Sequence, residues 1–271
     1  MFSSFMINTW IVSTIVAVVA GVVGFFVVVR GASFAAHTLP LGAFPGAAAA
    51  HLLGVSQFLG LAVFSGLGVV GIYELGRRGR HDVATALCLA TLLGLGALFL
   101  SLTREYSQEV FGLFFGEPLG VSSAEIAPVT LASLLSIGVA IVCFRPLLLS
   151  SVSSELGEAN GISTPGVEIG FLSILALATA MAVPVVGALL VFSLMVGPAS
   201  AARSLVDRPF AAMALSAGIS VVSVWASIAL SYLTNWPIGF FVGGLAALAF
   251  ALGRAPVWRL ASVAAGSRRP T

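Results

Sequence analysis

The sequence predicts an all-α integral membrane protein, a polytopic bundle of about nine transmembrane helices. Of its 271 residues, 59% are hydrophobic and only 8% are charged, and the mean hydropathy is +1.12. A water-soluble domain carries about 25% charged residues, so this chain has too few charges to cover a soluble surface. Apolar stretches of about 18–20 residues recur, each long enough to cross roughly 30 Å of hydrocarbon. We therefore expect residues 1–271 to form a single transmembrane domain.

Nine apolar segments provide the predicted crossings, with boundaries good to a few residues. The first is expected to be a retained helix rather than a signal peptide, because no basic region precedes it and Arg30 follows it. The segments are 10–29, 37–53, 56–74, 84–103, 126–144, 166–183, 185–202, 210–232 and 237–253.

The arginines indicate how the bundle is oriented. All twelve basic residues are Arg, and an outside N-terminus with a cytoplasmic C-terminus leaves only Arg104 outside. Cytoplasmic loops carry an excess of basic residues, so this orientation is the predicted one. The net charge of +2 is small and spread over the loops, which indicates no nucleic-acid partner.

The outer connection, residues 104–125, has the pattern of an amphipathic helix. Its aromatic residues recur at three- and four-residue spacing with polar residues between them. Such a helix is expected to lie at the membrane face, where it either rests in the interface or gates the outer mouth.

The inner connection, residues 146–165, contains the pattern of a short capped helix. Ser153 suits the N-cap, Glu155 and Glu158 favour the positive end of the helix dipole, and Gly161 suits the C′ position. From these residues alone, the helix is either an unengaged loop element or a docking element.

The stretch from Val185 to Arg203, VVGALLVFSLMVGPASAAR, is an apolar helix that we expect to be broken late, at Gly197-Pro198. An anchoring helix needs no such pair near its end. A helix that packs tightly and bends within a transport pathway often has one.

Several separated segments together resemble one family, the membrane permeases of ABC transporters that import zinc, manganese or iron. The first runs from Val27 to Gly54, with Arg30 and Ser33 followed by Pro45-Gly46. The others are RHDVATALCLA, SSELGEANGIS, the helix described above, and SYLTNWPIGFFVGG. Their order and spacing extend the resemblance over nearly the whole chain.

The resemblance implies a homodimeric permease in the bacterial cytoplasmic membrane. Its partners would be two cytoplasmic ATPase subunits, which bind ATP and Mg, and an extracytoplasmic substrate-binding protein. The chain lacks a P-loop and has no lysine to complete one, so it is expected not to be an enzyme and to hold no cofactor. By resemblance, the ATPase-coupling residues are Ser153, Glu155, Leu156, Glu158 and Gly161, and the pathway or hinge residues are Pro45, Gly46, Gly197 and Pro198.

The chain departs from the family where a metal ligand is expected. The family usually has Asp and, four residues later, His before Pro-Gly; the corresponding residues here are His37 and Leu41. His37 and His51 are the candidate metal ligands, and the alternative for His37 is a hydrogen-bonded packing histidine. They are separated by fourteen residues, about 21 Å along a helix, so they cannot bind one ion within a protomer.

Two further departures from the family pattern accompany the first. Asn235 stands in place of an Asp, and Val152-Ser153 stands in place of Phe-Asp. Near the start of the sixth segment, Glu168 is expected to face the cytoplasmic interface.

Three readings of the function remain open. The first is an ABC importer permease for a divalent metal. The second is the same machinery carrying a metal chelate or another cargo, which would need few permease ligands. The third is an ATPase-independent secondary transporter or channel, which the scarcity of ionisable residues in the spans disfavours.

Overall fold

The computed structural model describes residues 4–77, 81–102, 112–114 and 123–266. Within these ranges the chain forms eleven helices of at least six residues, a short helical stretch at 112–114 and no strand. They are α1 Ser4–Val29, α2 Ser33–Leu53, α3 Gln57–Gly76, α4 His81–Leu102, α5 Ser123–Val142, α6 Phe144–Val152, α7 Ser154–Ala159, α8 Thr164–Val186, α9 Ala188–Leu205, α10 Pro209–Thr234 and α11 Ile238–Gly266.

Nine of the described helices correspond one by one to the nine predicted segments. Six of them, α1, α3, α4, α8, α10 and α11, are long and apolar enough to span a membrane, and the bent pair α5–α6 makes a seventh span if counted as one. The other two, α2 and α9, are rich in small residues and lie largely inside the bundle. They have little surface that would need to match lipid.

The inner connection is more helical than predicted. Residues 144–152, assigned from sequence mainly to a loop, form α6, which is bent by 60° from α5 at Cys143. Pro146 indicated a loop boundary, but it occupies the first turn of α6. A proline is tolerated there because an N–H in the first turn has no partner within the helix.

The predicted break at Gly197-Pro198 is wrong. Helix α9 continues through both residues to Leu205. The boundary between α8 and α9, expected between the segments 166–183 and 185–202, falls at Gly187. Gly187 has φ 90° and ψ 145°, in the left-handed half of backbone space that a side chain strongly disfavours. The glycine at 197 serves close packing instead, because a Cβ there would collide with Ala246 of α11.

Most of the outer connection lies outside the described residues, so its predicted amphipathic helix stays a prediction. Residues 112–114 are described, and two of them are directed inward. Leu113 is buried, and the Phe114 ring lies 4.8 Å from the ring of Phe44 on α2, centroid to centroid. This part of the connection therefore packs onto the bundle.

The interior and the periphery of the bundle differ in burial. In the most apolar window of α1, 72% of residues are buried, against 28% for α4 and 22% for α11. The peripheral helices expose large aliphatic side chains, such as Leu87, Leu134 and Val222, each more than half exposed. Water would penalise such a surface and lipid would not, which agrees with an integral membrane protein.

Helix backbones approach closely where glycines face a neighbour. A Cβ at Gly24 of α1 would collide with the main chain of Met195 on α9, and one at Gly21 would collide with Ala217 on α10. Beside this contact, the Ser216 hydroxyl donates a 2.7 Å hydrogen bond to the Gly21 carbonyl. Small residues and interhelical hydrogen bonds are the main means of packing helices in lipid.

We expect Gly24→Ala to destabilise the bundle, although alanine favours a helix over glycine by about 1 kcal/mol. The added methyl must displace the α9 backbone, and overpacking of this kind costs about 1–3 kcal/mol. The measurement is the thermal unfolding midpoint of the purified protein in detergent. The matched control is Gly218→Ala on α10, where a Cβ meets nothing within 4 Å. Equal midpoints for the two variants would contradict this account of the α1–α9 contact.

Candidate functional site

Helix α2, which carries most of the candidate pathway residues, starts at a tight corner after α1. Gly31 has φ 67°, its N–H donates to the Val28 carbonyl, and the Ala32 N–H donates to the Val27 carbonyl. These two bonds form a Schellman motif, which ends α1 and turns the chain. Arg30 lies at this corner, directly before Gly31, and α2 begins at Ser33.

His37 lies inside the bundle between α2 and α9. Its ring makes an edge contact with Phe192 of α9, with 5.1 Å between the ring centroids. The side chain is only partly exposed, and its Nδ1 is buried without a hydrogen-bond partner. A buried polar atom without a partner costs free energy, so a nitrogen kept in this state is a candidate for binding a cargo.

Two buried hydroxyl groups share this property. Thr38 of α2 and Ser65 of α3 are almost fully buried, and neither Oγ atom has a hydrogen-bond partner. Hydroxyl oxygens are weak ligands for a divalent ion but good partners for its water shell. The sequence analysis did not select these residues, since Ser and Thr in apolar helices usually bond to the preceding turn.

The described residues hold no group of three or more His, Cys, Asp or Glu side chains that could bind a metal ion. His51 is exposed in the last turn of α2, and the helix is continuous between it and His37. The structure therefore does not bring the two candidate ligands together within one protomer. Leu41, at the position of the family's His, is buried in an apolar cluster with Phe44 and Met181.

Gly46 lies at a close crossing of α2 and α3, and Pro45 lies against Gly96 of α4. A Cβ at Gly46 would collide with the Gly60 main chain, and one at Gly60 would collide with Gly46 in return. Helix α2 remains continuous through Pro40 and Pro45, although each proline lacks an N–H to donate. The predicted hinge residues thus occupy a packed contact, and their role in movement stays a prediction.

Asn235, at the position of the family's Asp, has a structural role at the end of α10. Among the non-glycine residues that the structure describes, Asn235 alone has a positive φ, 56°. Its N–H donates a hydrogen bond to the Ser231 carbonyl. Asn adopts this left-handed conformation more readily than most side chains. The side chain is exposed.

The predicted coupling segment forms a helical hairpin of α6 and α7. Ser153 joins the two helices in an extended conformation, and its carbonyl accepts a hydrogen bond from the Gly157 N–H, as an N-cap does. Gly157 is buried against Ser150 of α6. Glu155 is exposed, whereas the Leu156 side chain lies outside the described part of the chain.

The C-terminal end of α7 confirms the predicted C′ glycine. Gly161 has φ 73°, its N–H donates to the Glu158 carbonyl, and the Ile162 N–H donates to the Gly157 carbonyl. The Glu158 carboxylate accepts a hydrogen bond from Thr164 at the start of α8. The hairpin therefore presents the exposed residues Val152, Glu155 and Asn160 on a well-defined turn.

Comparison with known proteins identifies the family. The sequence matches the ABC 3 transport family over residues 2–255. The chain therefore belongs to this family, and the resemblance found in the sequence is confirmed. It is 26% identical over 238 residues to the manganese transport system membrane protein MntC of Listeria monocytogenes, covering 87% of this chain and 85% of that protein.

Two solved structures share the fold. PsaBC from Streptococcus pneumoniae, solved in complex with a Fab, aligns with a TM-score of 0.84 at 23% identity, covering 93% of this chain and 91% of that one. An inward-facing, putative metal-chelate type ABC transporter aligns with a TM-score of 0.70 at 16% identity, covering 90% and 84%. The chain is thus an integral membrane protein with the fold of ABC permeases.

We expect Gly161→Ala to loosen the end of α7. An alanine side chain at positive φ costs roughly 1–2 kcal/mol, although no neighbouring atom obstructs it. The measurement is hydrogen–deuterium exchange of the amides at 157–162, which should become faster. Gly157→Ala is the matched control, because its Cβ would make only an ordinary contact, 3.8 Å from Ser150. Faster exchange in Gly157→Ala, together with unchanged exchange in Gly161→Ala, would refute the assignment of Gly161 as the C′ residue of α7.

Proposed function

We propose that this chain is the membrane permease of an ATP-driven importer of a divalent metal ion, with manganese the first candidate and zinc and iron the others. The observation that supports this most is the similarity to MntC, which extends over 87% of the chain and 85% of the relative. The family assignment over residues 2–255 agrees with it.

The proposed assembly contains two copies of the permease, two cytoplasmic ATPase subunits and an extracytoplasmic binding protein, in a bacterial cytoplasmic membrane. ATP and Mg would bind to the ATPase subunits. The exposed turn around α7 would dock on the ATPase, through Ser153, Glu155, Leu156, Glu158 and Gly161.

We also propose nine crossings, with an outside N-terminus and a cytoplasmic C-terminus. The excess of arginine on one side supports this orientation. In this arrangement the α1–α2 corner and the α6–α7 hairpin both face the cytoplasm. Helix α2 would then carry His37 in the inner half of the membrane and end outside, near His51.

His37 is the proposed metal ligand of the pathway, because its Nδ1 is buried without a partner. Imidazole suits zinc and iron, whereas manganese prefers oxygen ligands such as carboxylates, carbonyls or water. A single nitrogen is not a complete site, so water or residues of the second copy would supply the other ligands.

A metal chelate is the second candidate cargo. Leu41 occupies the position of a family ligand and is buried among apolar side chains. A chelated cation keeps its own ligands, so it would need few from the permease.

We expect proteoliposomes containing the complete complex to take up one metal, and we expect this uptake to fall in the His37→Leu variant. Losing a group that merely supports a metal ligand costs about 10- to 100-fold in affinity, and losing a ligand should cost no less. His37→Asp should retain uptake, because it provides the carboxylate that the resemblance assigns to this position. Manganese, zinc and iron are offered separately, and transport is measured as ATP-dependent accumulation.

Thr91→Ala, on the exposed face of α4, is the control and should transport normally. Full uptake by His37→Leu would make His37 a packing residue and leave the function intact. A complex that hydrolyses ATP in response to the binding protein, yet accumulates no free ion, would support the chelate instead.

A further inference from the structure

Arg30 connects the α1–α2 corner to the α6–α7 hairpin. Its Nη1 donates hydrogen bonds to the Leu147 carbonyl, at 3.2 Å, and to the Ser150 hydroxyl, at 2.6 Å. Both acceptors belong to α6, more than a hundred residues away in sequence. Arg30 therefore connects the start of α2 to α6, the helix that precedes α7.

The surroundings hold the guanidinium in one position. Its Cζ lies 5.0 Å from the centre of the Phe171 ring of α8, in a cation–π arrangement. Partial burial lowers the pKa of Arg30, and the charge of Glu168 acts in the opposite direction. Glu168 in turn lies 3.5 Å from Nδ1 of His81, at the start of α4. An arginine stays protonated in such a setting.

The contacts continue from Arg30 into α7. Ser150 accepts the hydrogen bond from Arg30, and its hydroxyl donates to the Leu147 carbonyl. The same residue packs against the buried Gly157, the central glycine of α7. At the other end, α2 begins at Ser33, three residues after Arg30. A continuous series of contacts thus joins α7 to the helix that carries His37.

Aromatic packing keeps the base of the hairpin in place beside this link. Phe144, the first residue of α6, stacks on Phe25 with 6.5 Å between the ring centroids and makes edge contacts with Phe26 and Phe210. These rings fix one end of α6. The end nearer to α7 makes its polar contact with the core through Arg30.

We propose that Arg30 is a positioning residue that transmits movement of α7 to α2, so that ATP-driven displacement of the hairpin shifts the pathway helix. This role depends on the proposed function, because it requires an ATPase that moves α7. Arginine suits the role: its Nη1 donates to two oxygens while the guanidinium lies over the Phe171 ring.

The test uses the complete complex in proteoliposomes, with Arg30→Gln, Arg30→Lys, Ser150→Ala and the control Arg145→Gln. Arg145 is an exposed arginine in the first turn of α6. We expect Arg30→Gln to assemble with the ATPase and keep basal ATP hydrolysis. Stimulation by the binding protein, and uptake with it, should fall about tenfold, as for the loss of a hydrogen bond to a charged group.

The other variants separate positioning from general stability. Arg30→Lys should be intermediate, because the charge remains and the stacking is lost. Ser150→Ala should have a smaller effect, and its combination with Arg30→Gln should not be additive, because the two residues share one contact. Normal stimulation in Arg30→Gln, equal to that of Arg145→Gln, would overturn the proposal. If Arg30→Gln does not assemble, Ser150→Ala takes its place: normal stimulation by the binding protein in that variant would overturn the proposal.

Hydrogen–deuterium exchange of the permease alone tests the link without relying on transport. In Arg30→Gln the amides of α6 and α7 should exchange about tenfold faster, with those of α10 unchanged. Unchanged exchange in α6 and α7 would overturn the link. The natural complex could show no ATPase stimulation while Arg30→Gln still exchanges faster in α6 and α7. In that case the proposed function fails, and the contact of Arg30 with α6 remains.

Discussion

Close contact between helix backbones is the constraint on which the rest of this bundle depends. Lipid is as apolar as the side chains, so burial gives little drive for the helices to associate. Gly21 and Gly24 instead allow α1 to approach α10 and α9, and Gly197 allows α9 to approach α11. These contacts hold α9 in the interior and so fix the helix that lies against His37.

The helices of the interior differ chemically from those that surround them. Helix α2 contains Pro40 and Pro45 and is composed largely of small residues, and it is mostly buried. Because its surface meets protein rather than lipid, it can carry His37 and Thr38 with buried polar atoms that lack partners. Such atoms are costly in a purely structural helix, and they make α2 the part of the bundle best suited to meet a cargo.

Local chemistry made some elements readable from the sequence and left others hidden. The end of α7 at Gly161 was predictable because a Schellman motif depends on a few neighbouring residues. Helix α6 was missed because Pro146 indicates a loop unless it is known to lie in a first turn. The break expected at Gly197-Pro198 does not occur, because Gly197 serves close packing against Ala246. A glycine for close packing and a glycine for a turn look alike in sequence.

The sequence alone determined the class of protein and the order of its apolar helices, because composition and apolar length reflect the membrane directly. Its motifs indicated the likeness to metal-importing ABC permeases. Only the tertiary structure decided which residues meet. His37 faces Phe192, Arg30 reaches Ser150, and Gly46 meets Gly60 across separate helices. These pairings depend on how the helices cross, and the crossings are set by backbone contacts between distant segments that no local pattern encodes.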